Sequence, residues 1–199
     1  MKEFELTSER LLKPERLWSR AEILTRPCPI PSEPGIYAWY FRRIPPVVPI
    51  DRCHIFDGMP LLYVGISPSP PPANGGKPSQ QNLRKRLKNN HYKGDAYSST
   101  LRLTLGCILE KELSITLRIP GPFSRRMTFG SDGERKLSEW MGEHTRIACV
   151  ACQNPWDVEE ALIERLSLPL NLDQNGRHAF RATLRAIRSD ARRRAREAV

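Results

Sequence analysis

The chain has 199 residues, and its 32 Lys and Arg against 22 Asp and Glu give a formal net charge of +10. That length suits one domain with arms around a sizeable core, and the basic balance favours a polyanionic partner such as nucleic acid. No apolar run reaches transmembrane length, MKEFELTSER lacks a signal-peptide core and the five cysteines are scattered, so a cytoplasmic protein without membrane or disulfide framework is expected.

In chain order, residues 1–26 carry Leu6, Leu11, Leu12, Leu17, Trp18, Ile23 and Leu24 among charges. That spacing predicts an amphipathic helix or two, interrupted near Pro14. The proline-rich PCPIPSEP that follows leads in extended form to two apolar-aromatic runs, PGIYAWYF and LLYVGIS. Both read as β-strands. Tyr37 and Tyr63 then point from one sheet face into a shared site, while Gly35 and Gly65 leave room for a close neighbour. The connecting FRRIPPVVPIDRCHIFDGMP is a long, partly extended loop, in which Cys53 and His54 lack a second pair at metal-ligand spacing.

A Pro/Gly/Ser-rich loop separates the second run from NLRKRLKNNHYKG. The latter predicts a helix with Asn82 near its start, Gly94 beyond its end, and Leu83 and Leu87 facing inward. Arg84, Lys85, Arg86 and Lys88 make it strongly basic. LRLTLGCIL fits either a strand or a helical face, and SITLRI reads as a strand, the third of the sheet. GERKLSEWMGEH predicts a helix, followed by a strand through Ile147 to Val150. The lone Cys149-Val150-Ala151-Cys152 reads as buried thiols at a strand end. QNPWDVEEALIER predicts a helix that Asn154 or Asp157 caps and Pro155 opens, with Val158, Leu162, Ile163 and Leu166 inward. RATLRAIRSDARRRAREAV closes the sequence as a basic helix with Leu184 and Ile187 on one face, suited to tracking backbone phosphate.

Gly35-Ile36-Tyr37 and Tyr63-Val64-Gly65 resemble the paired motif of the GIY-YIG nuclease family, with Val in place of the second Ile. In that family a helix after the second motif presents an arginine to the scissile phosphate, and a His or Tyr follows one turn later. Arg86 matches the arginine, with Arg84 the alternative, and His91 stands five residues on where four is usual. A later helix in the family carries a metal-binding glutamate, with an asparagine about a dozen residues beyond it after a proline turn. Glu159 and Asn171 stand in that relation, and Glu160 is the alternative ligand.

The resemblance implies an α/β domain, a small mainly antiparallel β-sheet flanked by helices. It spans residues 34–180, between a helical extension at 1–33 and a basic C-terminal helix at 181–199. The implied activity is that of a metal-dependent DNA endonuclease with Mg²⁺ or Mn²⁺ on Glu159. Arg86 would neutralise the phosphate, Tyr37 would act as base with Tyr63 assisting, His91 would relay a proton, and Asn171 would shape the site. Arg84, Lys85 and Lys88 would contact DNA. The alternative is a catalytically silent nucleic-acid-binding module on the same fold.

Overall fold

The computed structural model describes residues 2–73, 79–121 and 123–198. In chain order the elements are α1 (Lys2–Leu12), α2 (Arg20–Ile23), β1 (Gly35–Phe41), β2 (Ile55–Phe56), β3 (Met59–Ser67), a π-helix (Lys85–Tyr92), α3 (Thr100–Ile108), α4 (Glu110–Leu113), α5 (Gly130–His144), β4 (Thr145–Ala151), α6 (Pro155–Arg165) and α7 (Arg181–Glu197). The strands form one antiparallel sheet in the order β2-β3-β1-β4. The α/β architecture expected from the sequence, a small antiparallel sheet flanked by helices, is the one observed. No helix among the described residues is long and apolar enough to cross a membrane.

Strand β1 is buried along its whole length. Successive side chains point to opposite faces, and both faces of this strand are apolar or aromatic. Tyr37, Trp39 and Phe41 join Leu62 and Ile147 in a core completed by Leu83, Leu87 and Tyr92 and by residues of α3, α5 and α7. Ile36, Ala38 and Tyr40 join a second core with Leu11 of α1 and with Val158, Leu162 and Ile163 of α6. The Tyr40 hydroxyl donates to the Leu11 carbonyl at 2.9 Å. That bond satisfies one of the carbonyls left open where α1 stops ahead of Pro14.

One segment differs from expectation, and another is decided between its two readings. SITLRI is not a strand of the sheet, because only Arg118 pairs, with Thr128, in an isolated bridge. Its alternating Ile115 and Leu117 are buried, so the period reports packing of a short extended piece and not membership of a ladder. The sheet position next to β1 is filled by β4 instead. LRLTLGCIL is helical, and Ser99 decides it by accepting a hydrogen bond from the Arg102 backbone N–H as the N-cap of α3. Within the long connection, Asp57 and Gly58 both take positive φ (49° and 70°) and turn β2 back onto β3. This is the usual requirement of a tight hairpin turn.

The register of β1 on β3 positions the site. Tyr37 lies opposite Gly65 and Trp39 opposite Tyr63. Directly opposite residues share a face, so both tyrosines project from the same side. A Cβ on Gly65 would stand 2.7 Å from the Tyr37 Oη, and one on Gly35 would stand 2.3 Å from the Val150 carbonyl oxygen. The two glycines therefore do different work. Gly35 admits the backbone of β4, and Gly65 admits the tyrosine ring of β1. Gly65→Ala should force the buried Tyr37 off its position. We expect a loss of about 1–3 kcal/mol of stability, the usual range for overpacking, read as a lowered Tm. An unchanged Tm would mean that the ring is not confined.

Candidate active site

The helix expected over 82–94 opens with one α-turn and continues as a π-helix over Lys85–Tyr92. Its longer turn is closed by bonds such as Lys93 N–H to the Lys88 carbonyl, at 3.1 Å. A five-residue hydrogen-bonded turn brings side chains five apart into line. Arg86 and His91 consequently face the same atom. Arg86 Nε donates to the Tyr37 Oη at 3.2 Å, and His91 Nε2 lies 2.8 Å from it. The unusual spacing in the sequence is thus matched by an unusual helix.

Behind this junction His91 Nδ1 lies 2.7 Å from the Ser99 Oγ, the same oxygen that caps α3. Arg102 is fully buried and donates to the His91 carbonyl and to Ser138 Oγ, each at 2.9 Å, and forms an ion pair with Glu134. Burial holds the His91 pKa well below its ordinary value, and the charges of Arg86 and Arg102 add to the effect. The imidazole is therefore neutral. Because Arg86 already donates to the Tyr37 oxygen, we assign the Tyr37 proton to the bond with His91 Nε2, and the imidazole proton to Nδ1 facing Ser99, on hydrogen-bonding grounds.

Tyr37, Tyr63, Arg86, Glu159 and Asn171 line one cleft of about 240 Å³. It has room for a phosphate group and several waters, at ~30 Å³ per water. Five of the six residues singled out as catalytic from the sequence thus meet there, and His91 lies immediately beneath. Glu159 faces the cleft while Glu160 is exposed outside it. Asn171 is held on both sides of its amide, accepting from Val64 N–H at 3.0 Å and donating to the Val64 carbonyl at 2.9 Å. It clamps the backbone of β3 between Tyr63 and Gly65. Arg84, Lys85 and Lys88 lie outside the cleft lining and donate to the carbonyls of Ile30, Gln80 and Thr25.

Several cleft residues carry no signal in the motif. Thr100 hydrogen-bonds Tyr63, whose pKa burial raises. Asp173 and Thr104 line the walls. Arg188 enters from α7, although a stripe of buried residues at Leu184, Arg188, Ala191 and Ala195 has the spacing of an inward helix face and marks it.

The Glu159 carboxyl is pushed up to about 7, by burial first and by Asp173 as well, against the pull of Arg86. Among the described residues it has no hydrogen bond or ion pair, and no group of three His, Cys, Asp or Glu side chains gathers to hold a metal. A single unpartnered carboxylate in a polar cleft suits a hard divalent cation that keeps water and substrate oxygens as its other ligands. The residues present therefore fit a hard divalent cation held through Glu159.

A family model described as the GIY-YIG catalytic domain matches residues 35–190, most of the chain. Nucleases of this family act on nucleic acid and are generally dependent on a divalent metal. No curated protein and no solved structure matches the chain.

A carboxyl whose folded pKa exceeds its unfolded value favours folding below the unfolded pKa, and that contribution is lost as pH rises through the folded one. For Glu159 the window runs from the ordinary carboxyl value of 4.5 to about 7. In EDTA, the Tm advantage of Glu159→Gln over wild type should therefore grow between pH 5 and pH 8. A constant difference across that range would show that Glu159 is not held in a desolvated site.

Proposed function

The chain belongs to the GIY-YIG family, and from that premise we propose that it is a metal-dependent DNA endonuclease that hydrolyses phosphodiester bonds in the cleft around Tyr37. The observation that carries this reading is the convergence of Arg86 and His91 on the Tyr37 hydroxyl, beside an unpartnered Glu159.

The residues divide the work. Arg86 spends its Nε on Tyr37 and one Nη1 hydrogen on the Ser98 carbonyl, at 3.1 Å. Its Nη2 edge is left for the non-bridging oxygens of the phosphate, which a planar cation suits. Tyr37 takes a proton from the attacking water while passing its own to His91 Nε2. Burial raises the Tyr37 pKa, with Arg86 opposing and Glu159 adding, so a standing phenolate is disfavoured and the transfer to His91 is coupled to attack. The neutral, Nδ1-protonated His91 is the form able to accept that proton. Tyr63, tied to Thr100, orients the substrate side of the cleft, and Asn171 fixes the strand that carries Tyr63. A divalent cation bound at Glu159 would neutralise developing charge and assist the departing oxygen. Arg84, Lys85 and Lys88 add sequence-independent attraction to the DNA backbone.

Incubation with supercoiled plasmid and Mg²⁺ or Mn²⁺ tests the reading. Wild type should nick or linearise the plasmid, and Glu159→Gln should abolish cleavage while retaining DNA binding. Glu160→Gln should cut at the wild-type rate. Tyr37→Phe should lose ~100-fold or more, the scale of a lost general base, and Tyr63→Phe should lose less. No cleavage by wild type with either ion would leave a silent binding module. A near-normal Tyr37→Phe would remove the proton transfer from Tyr37.

A further inference from the structure

We propose that Arg188, on α7, is a second phosphate-binding arginine of the cleft, poised to hold a phosphate of the bound nucleic-acid strand. This rests on the reading of the cleft as a nucleic-acid site.

The two deeply buried arginines of the described residues make the case by contrast. Arg102 is fully buried and fully occupied, with Glu134, Ser138 and the His91 carbonyl as partners. It behaves as structural buried charges do, paired and hydrogen-bonded. Arg188 is 7 % exposed, and its Nε is buried with no partner. Among the described residues its guanidinium has no hydrogen bond and no ion pair. The carboxylates near α7 are taken by its exposed arginines. Arg193 holds Asp190 and Glu197, and Arg194 holds Glu110 and Asp190. Asp173 lines the same cleft as Arg188 without forming an ion pair with it.

A cation desolvated and left unmatched weakens a fold, because water has been removed and nothing has replaced it. The position is explained when the missing partner is a ligand. The cleft supplies the chemistry of that ligand. Arg86 has already committed two of its donor positions to Tyr37 and Ser98, whereas Arg188 keeps both Nη groups of its planar fork uncommitted. That fork matches two phosphate oxygens at once. A carboxylate ligand would meet Asp173 and Glu159 on the cleft walls. A phosphate meets the same two carboxylates, but one carried on a strand whose neighbouring phosphate Arg86 holds is kept in place against them.

The test uses the full chain carrying Glu159→Gln, so that DNA stays intact, and a short mixed-sequence duplex as probe. Adding Arg188→Met should lower affinity about tenfold, the scale of one hydrogen-bonded charge, and flatten the log-log salt slope by about 0.9. Without DNA the same change should leave Tm equal or higher, because an uncompensated buried charge is replaced by an apolar chain of similar length. Arg185→Met removes a charge from the exposed side of the same helix and should weaken binding less than Arg188→Met. Affinity equal to the parent's, or a lowered Tm of the DNA-free protein, would overturn the assignment. A wild type that binds DNA but never cuts would remove the endonuclease reading and leave Arg188 untouched. A wild type that cuts, with Arg188→Met binding like its parent, would do the reverse.

Discussion

The hydroxyl of Tyr37 is the point on which the cleft depends. It is buried, it receives a hydrogen bond from Arg86, and it directs its own proton to His91. Each neighbour exists in that place for a separate reason. Gly65 is missing a side chain where the ring crosses β3. The π-helix turns slowly enough to stack His91 over Arg86. Ser99 opens α3, and its oxygen serves both the N-cap of that helix and the His91 imidazole. The ion pair of Arg102 with Glu134 ties the His91 backbone to α5. Displacing any of these moves the same hydroxyl.

Much of this was legible in the sequence, and the parts that were not have physical causes. The paired Gly-Ile-Tyr and Tyr-Val-Gly runs located both tyrosines, because strand alternation fixes which face a residue takes. Glu159 was distinguishable from Glu160 only by helix register, and the inward positions of Val158, Leu162 and Ile163 set that register. His91 looked misplaced because a count of four assumes an α-helix. The sequence KRLKNNHY has no glycine or proline to announce a wider turn. SITLRI misled through its period, since two alternating buried residues look alike in a sheet and in a short extended segment against helices. Thr100 and Asp173 belong to no motif, and only the fold brings them to the cleft and Ser99 behind it.

Arg188 shows a different kind of blindness. Net charge counts arginines alike, and a tail rich in them reads as an outer arm that tracks backbone phosphate. The helix separates them by face. Arg193 and Arg194 sit outside in ion pairs, while the stripe through Leu184, Ala191 and Ala195 turns Arg188 inward onto the cleft. The C-terminal helix is a wall of the site as well as a source of basic charge, which is consistent with a family match that runs to residue 190.

The cleft therefore holds two groups that each destabilise the free protein, a carboxyl raised to about 7 and a cation with no partner. Moving them together would neutralise both. The fold keeps them unpaired, with Glu159 on α6 and Arg188 on α7. A salt bridge between them would stabilise the free protein and occupy the two positions proposed for a cation and a phosphate. Whatever binds the folded chain and not the unfolded one adds to its stability. Under the proposed function, separated charges of opposite sign convert the desolvation cost of two groups in the free protein into preference for a phosphate that arrives with a metal ion.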